Sequence, residues 1–329
     1  MEKIFTVNNK WAVNDYCNMV DSGITSIRVN GIHATDDTIK IISHLKKERQ
    51  IKIYYDLPGV KWRIWSSNRE RIQVHESDEI FLYNENYNLT NPAQFRIIGE
   101  RFWDNIRKGD IFFIRRVHRE NVIIEINEAF AGKARATVLH GGLIGYGYHI
   151  YNPYEYKVNN ELSELDLKQD QRIRRLEPNI IVVSFADTEE IVKQAKNMWG
   201  EKSDIFAKIE TKEAINNLDD VLKVADGIVI GRDDLSAFLK KEEIRGAVET
   251  ILNKCIKNNL RCIGASNYLQ NVYENNTYDE EDLFDIEMLI QKKAYGIYIN
   301  ETNKDSCWSK YLRMINKMED ICMDFSMIS

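Results

Sequence analysis

Eight short apolar runs, three near the start of the chain and five in its second half, constrain the fold more than any other feature of the sequence. The first three lie before residue 58, the other five lie after residue 152, and helical segments separate them. Continuous apolar runs are typical of a parallel sheet with both faces covered. The order predicts an α/β fold of eight βα units, a (β/α)₈ TIM barrel over residues 1–57 and 153–329, although the rhythm alone also fits a doubly wound sheet.

A segment of a different kind separates the two parts of this pattern. Residues 58–152 carry short alternating runs, such as Glu79–Tyr83 and Asp110–Ile114, and polar turns that contain Gly109 and Gly132. Alternation of apolar and polar residues is typical of strands with one buried face. We therefore expect an all-β domain, β-barrel-like and inserted after the third strand, which serves as a lid over the barrel.

Charge and hydropathy exclude several kinds of partner. The 329 residues include 45 basic and 51 acidic ones, for a net charge of −6, and acids interrupt the basic clusters, so nucleic acid is not an expected partner. No stretch approaches the roughly 18 apolar residues that span a bilayer, and the first residues lack the apolar core of a signal peptide. Five cysteines without CxxC spacing argue against a disulfide framework and a structural zinc site. We expect a cytoplasmic protein with no membrane partner, and leave open whether it forms a homo-oligomer.

Charged side chains follow several of the apolar runs directly. In a (β/α)₈ barrel these positions are the C-terminal ends of the strands, where the active site lies. Lys208 and Glu210 are two residues apart, so their side chains lean to the same side, and Asp234 follows the next run. Two carboxylates from neighbouring strands suit Mg²⁺ or Mn²⁺, and a lysine beside them stabilises negative charge on a phosphoryl group or an enolate. On spacing alone, an ion-pair network that holds this end of the barrel together explains these residues equally well.

Several motifs resemble those of the pyruvate kinase family and occur in the same order. They are AKIETKEA at 207–214, NLDDVLKVADGIVIGRDDL at 217–235, DLPGVKWR at 56–63, RVNGIH at 28–33, SELD at 163–166 and SF at 184–185. The similar family motifs are KIEN-x-EG, DGIMVARGDLG, DLQGPKIR, R-x-N-F-S-H, T-E-K-D and S-F. Because the motifs extend over nearly the whole chain, the resemblance implies the family's barrel and lid domains and its metal-assisted phosphoryl transfer.

The resemblance also implies a role for each matching residue. Lys208 is expected to stabilise the transferring phosphoryl group and the enolate, while Glu210 and Asp234 hold Mg²⁺ or Mn²⁺. Arg28 and Arg63 are expected to bind phosphate groups, and Asn30 and His33 to contact the nucleotide phosphates. Asp56 is expected to support an inner cation site. Ser266, which replaces a family threonine, is expected to bind the substrate carboxylate and to protonate the enolate. Lys61 stands where the family has either a glutamate with bound K⁺ or a lysine in place of that cation, so no K⁺ requirement is expected.

Departures from the family pattern concern the molecule that receives the phosphoryl group. Asp233, next to Asp234, replaces a glycine where backbone N–H groups receive the carboxylate of phosphoenolpyruvate, and Tyr148 replaces a lysine expected at the nucleotide phosphates. An acidic side chain there repels a carboxylate or attracts a cationic acceptor. The resemblance ends before the family's C-terminal regulatory domain, so control by sugar phosphates at that domain is not expected.

Three kinds of function follow from this pattern. The first is a phosphotransferase of pyruvate kinase type with small-molecule substrates, phosphoenolpyruvate or pyruvate and ADP or ATP, or with a specialised acceptor. The second is a metal-dependent lyase, an aldolase or decarboxylase that acts on a 2-oxo acid, because a metal and a lysine also stabilise an enolate. The third is a catalytically idle binding protein that keeps the fold. Retention of the lysine, both metal carboxylates and both arginines favours the first.

Overall fold

The computed structural model describes residues 1–7, 11–66, 71–99, 101–115, 121–152, 154, 156–266, 268–275, 277–300 and 308–326. The chain divides into two compact units, which we call the large unit (Met1–Gly59 and Val158–Ser329) and the small unit (Val60–Lys157). Each unit has a hydrophobic core of its own.

The strands of the large unit come from both ends of the chain, and those of the small unit lie between them in sequence. They are β1 (Glu2–Thr6), β2 (Ser26–Asn30) and β3 (Lys52–Asp56) in the large unit; β4 (Arg63–Ser66), β5 (Ile72–Val74), β6 (Glu79–Tyr83), β7 (Gln94–Ile98), β8 (Ile111–Arg115), β9 (Val122–Phe130), β10 (Lys133–His140), β11 (Gly142–Ile144) and β12 (Tyr148–Tyr151) in the small unit; and β13 (Ile180–Val183), β14 (Asp204–Ile209), β15 (Gly227–Gly231), β16 (Arg261–Ala265) and β17 (Gly296–Ile299) again in the large unit.

Helices follow the barrel strands, as expected for βα units. They are α1 (Val13–Asp21), α2 (Asp36–Arg49), α3 (Phe102–Asn105, in the small unit), α4 (Glu164–Leu167), α5 (Asp170–Leu176), α6 (Glu189–Trp199), α7 (Lys212–Asn216), α8 (Leu218–Val224), α9 (Arg232–Leu235), α10 (Lys241–Lys257), α11 (Gln270–Asn275), α12 (Glu280–Gln291) and α13 (Trp308–Ser326). Within the described ranges, no helix is long and apolar enough to cross a bilayer.

The eight strands of the large unit form a closed parallel barrel. Their order around the barrel is β1, β17, β16, β15, β14, β13, β3 and β2, and β1 pairs with β2 to complete the ring. Inward-pointing side chains, including Ile4, Val182, Phe206 and Val229, are fully buried and fill the interior, while the outer faces of the strands pack against the helices. The predicted (β/α)₈ barrel is confirmed.

Capping residues in the sequence determine where several of the helices begin. The Thr35 hydroxyl accepts the Thr38 backbone N–H at 3.2 Å at the start of α2, and the Asp279 carboxylate accepts the Asp282 N–H at 2.9 Å at the start of α12. A cap of this kind stabilises a helix by about 1 kcal/mol. The cap at Thr35 ends the connection that follows β2.

The strands of the small unit form a second closed barrel. Seven strands take part, in the order β10, β6, β7, β4, β12, β8 and β9, while β5 and β11 pair with each other in a two-stranded sheet. Its interior is filled by fully buried residues such as Ile80, Leu82, Phe95 and Ile124. That this barrel acts as a lid stays a prediction.

Candidate functional site

An ion pair between neighbouring strands lies at the C-terminal end of the large barrel, which we call the mouth. Nε and NH2 of Arg28, in β2, each lie 2.8 Å from Oδ2 of Asp56, the last residue of β3. NH1 donates to the Thr6 hydroxyl at 3.3 Å. Burial alone would lower the pKa of Arg28, but Asp56, together with Tyr298 and Glu210, more than offsets this effect and raises the pKa. The guanidinium is therefore charged and held from two sides.

A second ion pair, on β14, touches the first. Lys208 Nζ lies 2.8 Å from Glu210 Oε1 and 3.9 Å from Asp56 Oδ2. Glu210 Oε2 accepts the backbone N–H of Phe185 at 2.9 Å. Since Lys208 is 4% exposed and Glu210 is 0% exposed, each charge needs a partner to offset the free energy lost on leaving water. Arg28, which is half-buried, and the buried residues Asp56, Lys208 and Glu210 thus form one chain of alternating charge, which we call the charge chain.

Tyr298, which the sequence analysis missed, joins the charge chain from β17. Its hydroxyl donates to Asp56 Oδ1 at 3.0 Å, and its ring centroid lies 5.0 Å from the guanidinium carbon of Arg28. Burial and the charge of Asp56 raise the pKa of Tyr298 well above its usual value, so the hydroxyl keeps its proton and can donate. The only signal in the sequence was a residue with a polar tip in an otherwise apolar run.

Asp233 and Asp234 lie in α9, a single helical turn directly after β15. Asp234 is buried and Asp233 is half-buried. Arg232, at the start of this turn, points to α12, where NH1 and NH2 donate to the two carboxylate oxygens of Asp285 at 2.7 and 2.6 Å, and its guanidinium carbon lies 4.0 Å from the ring centroid of Tyr268. This two-point contact fixes the turn that carries Asp234.

Glu210 and Asp234 follow neighbouring strands, since β14 pairs with β15. Gly231, the last residue of β15, allows Glu210 to lie close to this strand, because a Cβ at that position would be 2.5 Å from Glu210 Cγ. Hard carboxylate oxygens on adjacent strands are a donor set that fits Mg²⁺ or Mn²⁺. The described residues contain no group of three or more histidine, cysteine, aspartate or glutamate side chains placed around a common metal position.

Two residues that follow barrel strands have left-handed backbone conformations. Phe185, after β13, has a φ of 53°, and Ser266, after β16, has a φ of 62°. Such a conformation costs about 1–2 kcal/mol for a residue other than glycine. At Phe185 it accompanies the N–H bond to Glu210, so the strained backbone is tied to the charge chain.

The other predicted residues lie in both units. Asn30 ends β2, where its side-chain oxygen accepts a backbone N–H of its own loop at 3.3 Å, and His33 is exposed in that loop. Lys61 and Arg63 belong to the small unit, and Arg63 NH1 donates to the Gly147 carbonyl at 3.0 Å. The phosphate and cation roles of these four residues stay predictions.

A closed parallel barrel whose mouth carries a lysine, an arginine and several carboxylates belongs among the (β/α)₈ proteins with a charged site at the C-terminal ends of the strands. Comparison with protein families gives a more specific result. Residues 7–290 match the family described as "Pyruvate kinase, barrel domain". Since the match extends over more than half of the chain, the chain belongs to the pyruvate kinase family.

Three curated proteins named pyruvate kinase illustrate the similarity. The protein of Thermococcus litoralis is 26% identical over 241 residues, which are 69% of this chain and 49% of that protein. The protein of Thermotoga maritima is 24% identical over 266 residues, 78% of this chain and 56% of the relative. The protein of Methanocaldococcus jannaschii is 24% identical over 305 residues, 91% of this chain and 64% of the relative. The chain thus spans between about half and two thirds of the length of these relatives.

Proposed function

We propose that the chain is a phosphotransferase of pyruvate kinase type, which moves a phosphoryl group between phosphoenolpyruvate and a nucleotide, ADP or ATP, or a specialised acceptor. The observation that carries this proposal is the charge chain of Arg28, Asp56, Lys208 and Glu210 at the mouth. Membership of the family and the names of the three relatives support it.

Arg28 and Lys208 supply the positive charge that a transferring phosphoryl group requires. The planar guanidinium can bind two phosphoryl oxygens at once, and the ammonium group of Lys208 can stabilise a further oxygen or the enolate. Asp56 and Glu210 hold both cations in place before the substrate arrives, so these groups need little rearrangement as charge develops in the transition state. Low solvent exposure strengthens the electrostatic interaction of both cations with an anionic substrate.

We further propose that Glu210 and Asp234 hold a divalent metal, Mg²⁺ or Mn²⁺, with water and substrate oxygens as its other ligands. A bound metal would neutralise negative charge on phosphoryl oxygens. The contact between Arg232 and Asp285 keeps the second carboxylate on a short, fixed turn.

The contacts of Asp56 bear on whether the site needs a monovalent cation. Oδ2 contacts Arg28, with Lys208 3.9 Å away, and Oδ1 accepts the Tyr298 hydroxyl. Because the positive charges of Arg28 and Lys208 already offset the charge of Asp56, we propose that no K⁺ is required, which agrees with the expectation based on Lys61.

Asp233 bears on which phosphoryl acceptor the site favours. A half-buried carboxylate beside Asp234 disfavours a second carboxylate close to it, and favours a cationic or metal-bound group. ADP and other small acceptors therefore need to be compared directly.

The proposal is tested by incubating the protein with Mg²⁺, phosphoenolpyruvate and ADP and following the reaction by ³¹P NMR. The phosphoenolpyruvate signal should disappear as the signals of ATP grow. Lys208→Met should lower the rate by about 100-fold or more, because it removes a preorganised charge from the transition state. Lys257→Met, at the exposed end of α10, is the matched control and should leave the rate unchanged.

The other outcomes of this experiment are equally informative. Loss of phosphoenolpyruvate without formation of ATP would show that ADP is not the acceptor. A parallel incubation with Mg²⁺ and a 2-oxo acid tests the lyase alternative, and cleavage of that acid without any phosphoryl transfer would show a lyase. If phosphoenolpyruvate is neither bound nor consumed with any acceptor, the phosphotransferase proposal is contradicted.

A further inference from the structure

Tyr298 contacts both members of the ion pair between Arg28 and Asp56. Its hydroxyl donates to the carboxylate, and its ring lies beside the guanidinium at a distance typical of a cation–π interaction. Tyr298 is 3% exposed and Asp56 is 2% exposed, so water cannot readily replace the hydroxyl. The aromatic ring and the hydroxyl therefore hold the same pair in two independent ways.

The contacts of Arg28 leave donors for a ligand. A guanidinium has five N–H donors, one on Nε and two on each terminal nitrogen. Nε donates to Asp56 and NH1 to Thr6, while NH2 lies 2.8 Å from Asp56. Among the described residues, these contacts use at most one N–H on each terminal nitrogen, so each keeps one donor with respect to that part of the chain. Two donors on adjacent nitrogens match two oxygens of one phosphoryl group.

We propose that Tyr298 is a positioning residue, which acts through Asp56 to hold Arg28 with these two donors directed to the phosphoryl group of the substrate. This inference rests on the proposed phosphotransferase function. Without the hydroxyl, Asp56 Oδ1 loses its donor, and the carboxylate can turn about its Cβ–Cγ bond. Arg28 would then lose the fixed orientation that suits two-point binding, although it would keep its charge.

Tyr54 provides a matched control for this role. It lies in β3, inside the same barrel, with its ring 6.2 Å from the Tyr298 ring in an edge-to-face arrangement. It is fully buried, and its hydroxyl interacts with Glu2 and Tyr295 rather than with Asp56. Tyr54→Phe removes a second buried tyrosine hydroxyl from the barrel without touching Asp56.

The experiment compares Tyr298→Phe and Tyr54→Phe in the full chain with Mn²⁺ present. Binding of phosphoenolpyruvate, and of pyruvate as a ligand without a phosphoryl group, is measured by tryptophan fluorescence, and urea unfolding shows that each variant is folded. Tyr298→Phe should weaken phosphoenolpyruvate binding roughly 10-fold, as expected for a hydrogen bond to a charged group, and change pyruvate binding less than about twofold. The Michaelis constant for phosphoenolpyruvate should rise while that for ADP stays the same. Tyr54→Phe should leave the binding of both ligands unchanged.

Each alternative result has a distinct meaning. If Tyr298→Phe weakens the binding of both ligands equally, Tyr298 has a general structural role. If phosphoenolpyruvate binding is unchanged, Tyr298 has no role in it. Either result overturns the inference, while the phosphotransferase proposal stands. Wild-type protein that binds neither ligand would overturn the proposed function itself. Tyr298→Met, which removes the ring as well, should weaken phosphoenolpyruvate binding further, and it replaces Tyr298→Phe if that variant does not fold.

Discussion

At the scale of single residues, the backbone at Ser266 limits which side chains this position of the site can carry. Its φ of 62° lies in the left-handed region, where a β-branched side chain is strained more than serine. We predict that Ser266→Thr lowers the free energy of unfolding by about 1–2 kcal/mol, whereas Ser266→Gly keeps or raises it because glycine has no Cβ. Urea unfolding measures both effects, and equal stability of the two variants would contradict the left-handed conformation.

Residues close together in sequence were easier to predict than residues brought together by barrel closure. Lys208 and Glu210 are two apart on one strand, so period-two alternation was enough to place them side by side, and the atoms are 2.8 Å apart. Tyr298 and Asp56 are 242 residues apart, and their hydrogen bond depends on closure of the barrel, which places β17 and β3 on the two sides of β1 and β2. No local pattern contains that information. The left-handed backbone of Ser266 was also out of reach, because serine has no strong preference for it.

At the scale of elements, helix α12 carries a carboxyl group whose proton affinity is raised by the fold. Asp282, in its first turn, is 4% exposed, and Oδ2 has no hydrogen-bond partner within the described part of the chain. Burial, followed by the charges of Asp279 and Asp285, raises the pKa of Asp282 to about 6. An unfolded aspartate titrates near pH ~3.9, so between these values the folded chain binds more protons than the unfolded one.

This difference in proton binding gives the pH dependence a definite sign. The contribution of Asp282 makes the free energy of unfolding fall as the pH rises from about 4 to about 6, and stay low above that. We predict that Asp282→Asn stabilises the protein by roughly 1–3 kcal/mol near neutral pH and that the gain vanishes near pH ~4. Urea unfolding at both pH values measures this, with Glu280→Gln, an exposed acid of the same turn, as control. A gain of equal size at both pH values would show that the charge of Asp282 is not its cause.

The elements themselves were predicted well where burial determines their sequence. The eight barrel strands coincide with the eight mostly apolar runs, because a strand covered on both faces carries mainly apolar side chains, with polar ones such as Arg28 and Lys208 towards its C-terminal end. The single turn α9 was harder to foresee, since four residues are too few for a periodic pattern. Its position depends instead on the ion pair of Arg232 with Asp285, which lies 53 residues further on.

At the scale of the whole molecule, the chain leaves and re-enters the large unit at neighbouring points. A Cβ at Gly59, the last residue before the small unit, would lie 3.1 Å from the Phe185 ring. Asn159, one residue past the return point, donates through its side chain to the Phe185 carbonyl at 3.2 Å. Gly59 and Asn159 therefore both lie next to Phe185. Because the two ends of the large unit are close together at this junction, a short connection can join them.

We predict that replacing Val60–Lys157 with a short glycine-serine linker leaves a folded barrel, because the large unit has its own core and its ends at the junction are close together. Circular dichroism should show one cooperative thermal transition.

Under the proposed function, the shortened protein should still bind Mn²⁺ through Glu210 and Asp234 but form no ATP, since Lys61 and Arg63 are removed with the small unit. The same deletion combined with Glu210→Gln is the control and should lose Mn²⁺ binding. A gradual, non-cooperative transition would show that the barrel depends on the small unit for its stability, and would make the two units one folding unit.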